Sequence, residues 1–205
     1  MRSVFIGLLV LVSVSAFSQV TDDALEEWRR GNFERAIEIT QDELDETPNN
    51  VDSHVVMGWA LNSLGRFQEA LDIGLQGLQV SQYDPRLIQI VAEAHVRLGN
   101  ALTALQYLEL YAQVAPTGSQ IDWVYAAMGE IFIGLGEYHR ADIALSASVY
   151  HAARNAGRWA RLGYAREQVG DLEAALQAYD RALQLNPSLG DALRGRDRVR
   201  GRLPG

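Results

Sequence analysis

The chain has 205 residues, 48% of them hydrophobic, so it can bury a substantial core and does not have a disordered composition. It contains no cysteine and no lysine, which excludes disulfides, thiolate chemistry, Schiff-base lysines and the lysine of a phosphate-binding P-loop. The net charge of −8 disfavours binding to nucleic acid or anionic lipid as a property of the whole molecule.

Residues 1–18 have the pattern of a secretory signal peptide. Arg2 precedes an apolar run over residues 4–14, and small residues at Ala16 and Ser18 suit cleavage directly after the latter. We therefore predict that this segment is a signal peptide and that the mature protein is exported, either periplasmic or secreted. The apolar run is short for a transmembrane helix, but left uncleaved it would tether the chain to a membrane, facing outside the cytoplasm.

Glycines recur along the chain with a period of 34 residues. Gly31, Gly65 and Gly99 form one series, and Gly136 and Gly170 form a second series that is shifted by a three-residue insertion. An alanine stands five residues after each of these glycines. This pattern, placed between amphipathic stretches, predicts a repeated pair of helices in which the glycine ends the first helix in the left-handed conformation.

Polar residues after these glycines predict how the next helix begins. Asn32, Asn100 and Asp171 each follow a glycine of the series, and their side chains are predicted to cap the second helix of the unit. In the insertion, Ser119 and Asp122 have the spacing of a capping box, which predicts that a helix begins there.

The fifth unit carries the fullest set of repeat positions. These are Trp159, Leu162, Gly163, Ala175, Tyr179, Ala182 and Pro187. Together with the period, they resemble the tetratricopeptide repeat, a helix-turn-helix unit. The resemblance covers nearly all of residues 19–189 and implies an all-α fold, a right-handed α-solenoid of about five repeats. The predicted units span residues 17–50, 51–84, 85–118, 122–155 and 156–189.

Two units depart from the pattern of the repeat. Gly74 and Gly77 lie inside the predicted second helix of the second unit, where each costs about 1 kcal/mol relative to alanine. We expect Trp59 or another bulky neighbour to fill the space left by the missing side chains. The fourth unit has Ala153 where the family has proline, so its second helix is expected to run on.

Residues 190–205 are predicted to form a capping helix, over about residues 191–200, and a short tail. Arg194, Arg198 and Arg202 would share one face of this helix. We interpret them as cations that stabilise the C-terminal end of a soluble cap; the alternative is a site for an anionic partner.

No arrangement of catalytic or metal-binding residues is recognisable. The histidines lack the paired spacing of a metal site, and the chain lacks the GxSxG pattern of a nucleophile elbow. The acidic run over residues 41–46 lacks the pattern of a calcium loop and is interpreted as a solvated face. We therefore predict a non-enzymatic protein with no cofactor and no metal.

The resemblance also implies a concave groove lined by the first helix of each unit. In this register the predicted partner-binding residues are Trp59, Asn62, Arg86, Gln89, Glu93, Arg97, Trp123, Glu130, Arg161, Tyr164 and Gln168. The set differs from the carboxylate clamp by which some members of the family bind chaperone tails. Thr21, Leu25 and Val56 replace the polar residues that this clamp needs.

Two classes of function follow. In the first, the protein is an interaction module of the cell envelope that binds a peptide or helix of a partner protein in the groove. The aromatic residues would supply contact area, and Arg86, Arg97 or Arg161 would pair with a carboxylate of the partner; alternatively, these side chains are ordinary helix surface. In the second class, the protein is a structural or self-associating subunit of an envelope assembly. The identity of the partner does not follow from the sequence.

Overall fold

The structure, a computed structural model, describes residues 23–203, which form eleven α-helices in succession. The helices are α1 (Ala24–Arg30), α2 (Phe33–Glu46), α3 (Val51–Ser63), α4 (Phe67–Val80), α5 (Pro85–Arg97), α6 (Ala101–Val114), α7 (Ile121–Gly134), α8 (Tyr138–His151), α9 (Ala156–Val169), α10 (Leu172–Leu185) and α11 (Gly190–Arg200). Within this range, every helix is too short or too polar to cross a bilayer. The predicted signal peptide and Thr21 lie outside the described residues.

The helices stack in two layers, and the predicted all-α solenoid is confirmed. Each helix packs against the helices that precede and follow it in the chain. First helices also pack on one another along α1, α3 and α5, and again along α7, α9 and α11. Among the described helices, α5 and α7 lack a contact of this extent, and the three-residue insertion lies between them. The insertion therefore divides the inner layer into two halves.

The glycines and alanines of the repeat fix the helix pairs. Gly31, Gly65, Gly99, Gly136 and Gly170 have φ between 73° and 92°, which confirms the predicted left-handed helix ends. The alanines five residues later are all fully buried; they are Ala36, Ala70, Ala104, Ala141 and Ala175. Because alanine has the smallest side chain with a Cβ, these positions let the two helices of a unit approach closely.

The predicted capping of the second helices is correct for Asp171 and wrong for the two asparagines. The carboxylate of Asp171 accepts a hydrogen bond from a backbone N–H of the first turn of α10 at 3.1 Å. The amide of Asn32 instead donates to Glu27 Oε2 at 2.7 Å, and the amide of Asn100 lies 3.3 Å from His95 Nδ1. These side chains turn back because the preceding helix offers a polar partner.

The capping box predicted for the insertion is wrong. The N-cap of α7 is Gln120, which makes no side-chain cap hydrogen bond, and the helix therefore begins one residue later than Ser119 would require. The backbone N–H of Gln120 donates to the hydroxyl of Tyr111 at 3.3 Å. The carboxylate of Asp122 instead pairs with Arg158 of α9. Tertiary partners thus replace the local capping bonds.

The expected extension of α8 is also wrong. The helix ends at His151, and Ala152 is its C-cap residue. The carbonyl of Ala153 accepts a hydrogen bond from the indole N–H of Trp159 at 2.9 Å, while Asn155 caps α9. The connection is therefore held as a turn without a proline.

Glycines inside α4 allow it to pack tightly against α5. A Cβ at Gly74 would lie 2.7 Å from Val91 Cγ2, and a Cβ at Gly77 would lie 2.7 Å from Leu87 Cδ2. The expectation of a bulky neighbour is confirmed, but the nearest neighbours belong to α5, with His54 of α3 also beside Gly77, and Trp59 is not among them.

We expect the substitution Gly74→Ala to destabilise the fold by about 1 kcal/mol. Overpacking costs about 1–3 kcal/mol, because the β-branched side chain of Val91 has one favoured rotamer in a helix. This cost exceeds the gain in helix propensity of about 1 kcal/mol. Denaturant unfolding measures the difference. The control is Gly134→Ala, where an added Cβ meets nothing within 4 Å and the fold should be unchanged or slightly more stable. If Gly74→Ala stabilised the protein, the contact between position 74 and Val91 would not be rigid.

Candidate functional site

A cleft of about 610 Å³ opens along the first helices of the N-terminal half. Six of the eleven predicted groove residues line it, namely Trp59, Asn62, Arg86, Gln89, Glu93 and Arg97. They come together because residues three or four apart share one face of a helix: two of them lie on α3 and four on α5.

The cleft also has walls that the sequence analysis missed. Trp28 of α1 forms part of one side. The far side comes from the end of α6 and the following loop, through Tyr111, Ala115, Gly118, Ser119 and Gln120. The interruption of a strict 34-residue period was the available signal, because an insertion into a repeat array often forms a loop on its binding face.

Two tryptophans and one asparagine shape the interior of the cleft. The rings of Trp28 and Trp59 lie 5.2 Å apart between centroids, at an angle of 36°. The side-chain amide of Asn62 donates a hydrogen bond to the backbone carbonyl of Ile90 at 3.3 Å, and Asn62 is only 9% exposed. Within residues 23–203, Trp28 Nε1 and Asn62 Oδ1 are buried without a hydrogen-bond partner. Two residues that line the cleft thus carry a buried donor and a buried acceptor without partners.

Arg86 is already engaged by carboxylates of the protein itself. Its guanidinium donates to both carboxylate oxygens of Asp84, at 3.1 and 2.7 Å, and to Asp52 at 2.8 Å. The hydrogen bond with Asp84 raises the pKa of Arg86 above its usual range, although burial opposes this. The side chain is therefore held by internal ion pairs at the end of the cleft.

Glu93 and Arg97 are less completely paired. Burial raises the pKa of the Glu93 carboxyl, and the charge of Arg97 opposes this shift. Gln89 donates a long hydrogen bond to Glu93, 3.4 Å between Nε2 and Oε2. The guanidinium of Arg97 lies over the ring of Phe67, 5.4 Å from its centroid, and makes no ion pair in the described part of the chain.

The remaining five predicted residues do not line this cleft. Arg161 pairs with Glu130, 2.6 Å between Nε and Oε1, and its guanidinium lies 5.4 Å from the centroid of the Tyr164 ring. Trp123 is partly buried against a core cluster formed by residues of α5, α6 and α7. Gln168 lines a separate cavity beside the start of α8. The predicted groove therefore consists of one cleft and a separate set of contacts in the C-terminal half.

The arginines of the capping helix also face internal carboxylates. Arg198 donates to both carboxylate oxygens of Glu167, at 2.9 and 2.8 Å, and Arg202 lies 3.8 Å from the same group. Tyr179 donates its hydroxyl hydrogen to Glu167 at 2.8 Å. Arg194 pairs with an aspartate of its own helix. Arg198 and Arg202 therefore attach α11 to α9, whereas Arg194 does not. Within residues 23–203, no group of three or more histidines and carboxylates is placed to hold a metal.

Comparisons with known proteins identify the repeats. Residues 21–85 and 156–189 match models of the tetratricopeptide repeat. A search of curated proteins found no relative. A solved structure of MamA from Desulfovibrio magneticus RS-1 is 19% identical, with 82% of this chain and 93% of that chain covered and a TM-score of 0.71.

Two further solved structures have a similar fold. YrrB, described as a TPR protein with an unusual peptide-binding site, is 18% identical, with 85% of this chain and 88% of that chain covered and a TM-score of 0.71. A tetratricopeptide protein of Thermus thermophilus is 20% identical, with 87% and 94% covered and a TM-score of 0.59. At such identities the likeness concerns the fold alone. Residues 21–85 and 156–189 therefore carry tetratricopeptide repeats, within a chain that folds as an α-solenoid.

Proposed function

We propose that this protein is a non-enzymatic interaction module that holds an extended segment of a partner protein in the cleft. The observation that carries the proposal is the pair of buried, unpartnered atoms, Trp28 Nε1 and Asn62 Oδ1. Buried polar groups are almost always hydrogen-bonded, so each such group needs an explanation. Trp28 and Asn62 both line the cleft, so a peptide segment that binds there and reaches these atoms would explain a donor and an acceptor that lack partners in the free protein.

The surroundings of these atoms support the same proposal. Trp28 and Trp59 offer the kind of aromatic surface that contributes most to protein–protein binding. The cleft is built on helices whose positions are set by buried alanines, so the binding surface is formed before the partner arrives. A preformed surface lowers the entropic cost of association, and that cost then falls mainly on the incoming segment.

We further propose that the protein acts in the cell envelope, because residues 1–18 have the composition of a signal peptide. Expression in its native host should yield a mature chain that begins at or near Gln19. The intact mass of the exported protein measures this. A mass that retains residues 1–18 would instead assign a membrane tether.

We expect the substitution Ser63→Trp to weaken binding at least tenfold. Ser63 lies at the edge of the cleft and is exposed, so a bulky side chain there fills the binding space without disturbing the core. The test selects ligands for the purified protein from a random peptide library displayed on phage and then measures their affinity for both forms. The control is Gln106→Trp, an exposed position of α6 outside the cleft. Full affinity in the Ser63→Trp variant would place the binding site elsewhere.

Self-association is the second candidate function. It is favoured by exposed apolar side chains on the outer helices, since Leu102, Ile143 and Tyr150 are 70%, 72% and 82% exposed. Large exposed apolar patches often mark interaction surfaces. Sedimentation at increasing concentration distinguishes the candidates. Specific assembly together with an absence of peptide ligands would favour this second function.

A further inference from the structure

We propose that the segment bound in the cleft carries a basic side chain, lysine or arginine, which inserts between the tryptophan pair and Glu93. This inference rests on the proposed function and specifies the chemistry of the partner. It differs from the expectation raised by the sequence, in which an arginine of the groove pairs with a carboxylate of the partner. Four features of the cleft support it.

The first feature is a pair of acceptors on adjoining helices. The bond from the Asn62 amide to the carbonyl of Ile90 fixes which way this side chain points and leaves Oδ1 as an acceptor. Glu93 lies three residues after Ile90 and therefore on the same face of α5. Asn62 and Glu93 both line the cleft. Both accept hydrogen bonds from a cation.

The second feature is the weak pairing of Glu93. Its one hydrogen bond in the described part of the chain is the 3.4 Å contact from Gln89. The neighbouring cation, Arg97, lies over Phe67 and makes no ion pair with Glu93 within residues 23–203. A partly buried carboxylate that has lost water without gaining strong donors is stabilised by an incoming cation.

The third feature is the tryptophan pair itself. Trp28 and Trp59 present two indole rings to the cleft, 5.2 Å apart between centroids. Indole is the most favourable aromatic ring for a cation–π contact. The aliphatic stem of lysine or arginine also packs well on aromatic surface while its charged end reaches polar groups.

The fourth feature is the distribution of charge along the chain. Residues 23–84 contain thirteen carboxylates and four arginines, whereas residues 85–205 contain twelve carboxylates and thirteen arginines. The side of the cleft formed by α1 and α3 therefore belongs to a strongly acidic stretch, which attracts cations, whereas the side formed by α5 contributes Glu93 together with Arg86 and Arg97. Two of the three arginines expected to receive a carboxylate, Arg86 and Arg161, are already paired with Asp84 and Glu130.

The test uses three peptide libraries that are identical except at one central position, fixed as lysine, norleucine or glutamate. Norleucine matches the stem of lysine without its charge. We expect the purified protein to bind the lysine library at least tenfold more tightly than the other two. Titration of each library, followed through tryptophan fluorescence, gives the affinities.

Two variants then locate the cation. Glu93→Gln keeps the shape of the side chain and should remove most of the preference for lysine, with the melting temperature unchanged or higher. Glu109→Gln removes an exposed carboxylate of α6 outside the cleft and should keep the preference.

The outcomes separate this inference from the proposed function. Equal binding of the three libraries, or a preference for glutamate, would overturn the basic side chain and leave the interaction module standing. A lysine preference that survives Glu93→Gln would likewise overturn the assigned position. If none of the libraries binds, both proposals fail.

Discussion

Replacing Ala175 by tryptophan should lower the free energy of unfolding of the C-terminal units by about 3 kcal/mol or more. Overpacking a dense core costs about 1–3 kcal/mol and occasionally more, and this substitution inserts the largest side chain. Ala175 is fully buried in α10. It belongs to one core cluster with Tyr179 of the same helix and Ala160 of α9. Separation of α9 from α10 would also break the bond between Tyr179 and Glu167. Making room for the tryptophan between α9 and α10 would therefore cost further stabilising contacts.

Thermal unfolding and hydrogen exchange measure this effect. For a chain of this size, 3 kcal/mol corresponds to a drop of about 6–12 °C in melting temperature. Because each repeat contacts only its neighbours, faster exchange should be concentrated in α9, α10 and α11. The matched control is Gln177→Trp on the exposed side of α10, which should change stability by less than about 0.5 kcal/mol. An unchanged melting temperature in Ala175→Trp would remove this residue from the core.

The fold could be predicted because its determinants are local and repeated. A glycine with positive φ and a fully buried alanine five residues later recur in every unit. The caps could not be predicted in the same way. Asn32 has the right residue type and position for a cap, but Glu27 of the preceding helix takes its amide. A tertiary partner therefore overrode a propensity that is worth about 1 kcal/mol.

The cleft could be predicted only in part. Helical spacing placed Trp59, Asn62 and the face of α5 together, because residues three or four apart share a face. The pairing of Arg86 with Asp52 could also have been predicted from the sequence. Asp52 precedes Arg86 by one period of 34 residues and occupies the equivalent position of the previous unit. The loop that closes the far side depends on how the insertion folds against Tyr111. No repeat pattern contains that information.

The substitution Arg198→Ala should destabilise the attachment of α11 by about 2–3 kcal/mol. The side chain of Glu167 is only 4% exposed, and Arg198 donates two of the hydrogen bonds that it accepts. Hydrogen bonds to charged groups contribute about 1.5–3 kcal/mol, and their loss leaves a buried carboxylate with poor compensation. The hydroxyl of Tyr179 and the more distant Arg202 remain, which keeps the cost below that of an isolated buried charge.

Denaturant unfolding at neutral pH, with Arg194→Ala as the control, measures this contribution. Arg194 pairs with Asp191 within the same helix, and both side chains are exposed, so its removal should cost less than about 0.5 kcal/mol. Equal costs for the two variants would show that Glu167 is satisfied without Arg198.

The pH dependence provides an independent check. The hydrogen bond from Arg198 lowers the pKa of the Glu167 carboxyl in the folded protein, although burial opposes the shift. A carboxyl whose folded pKa is lowered stabilises the fold fully above its unfolded pKa of about 4.3, and this contribution is lost as the pH falls through the folded value. The difference in stability between the wild type and Arg198→Ala should therefore be constant near neutral pH and shrink below about pH 4.3. A difference that stays constant on acidification would show that Arg198 stabilises the cap through packing of its aliphatic stem and not through the charge of Glu167.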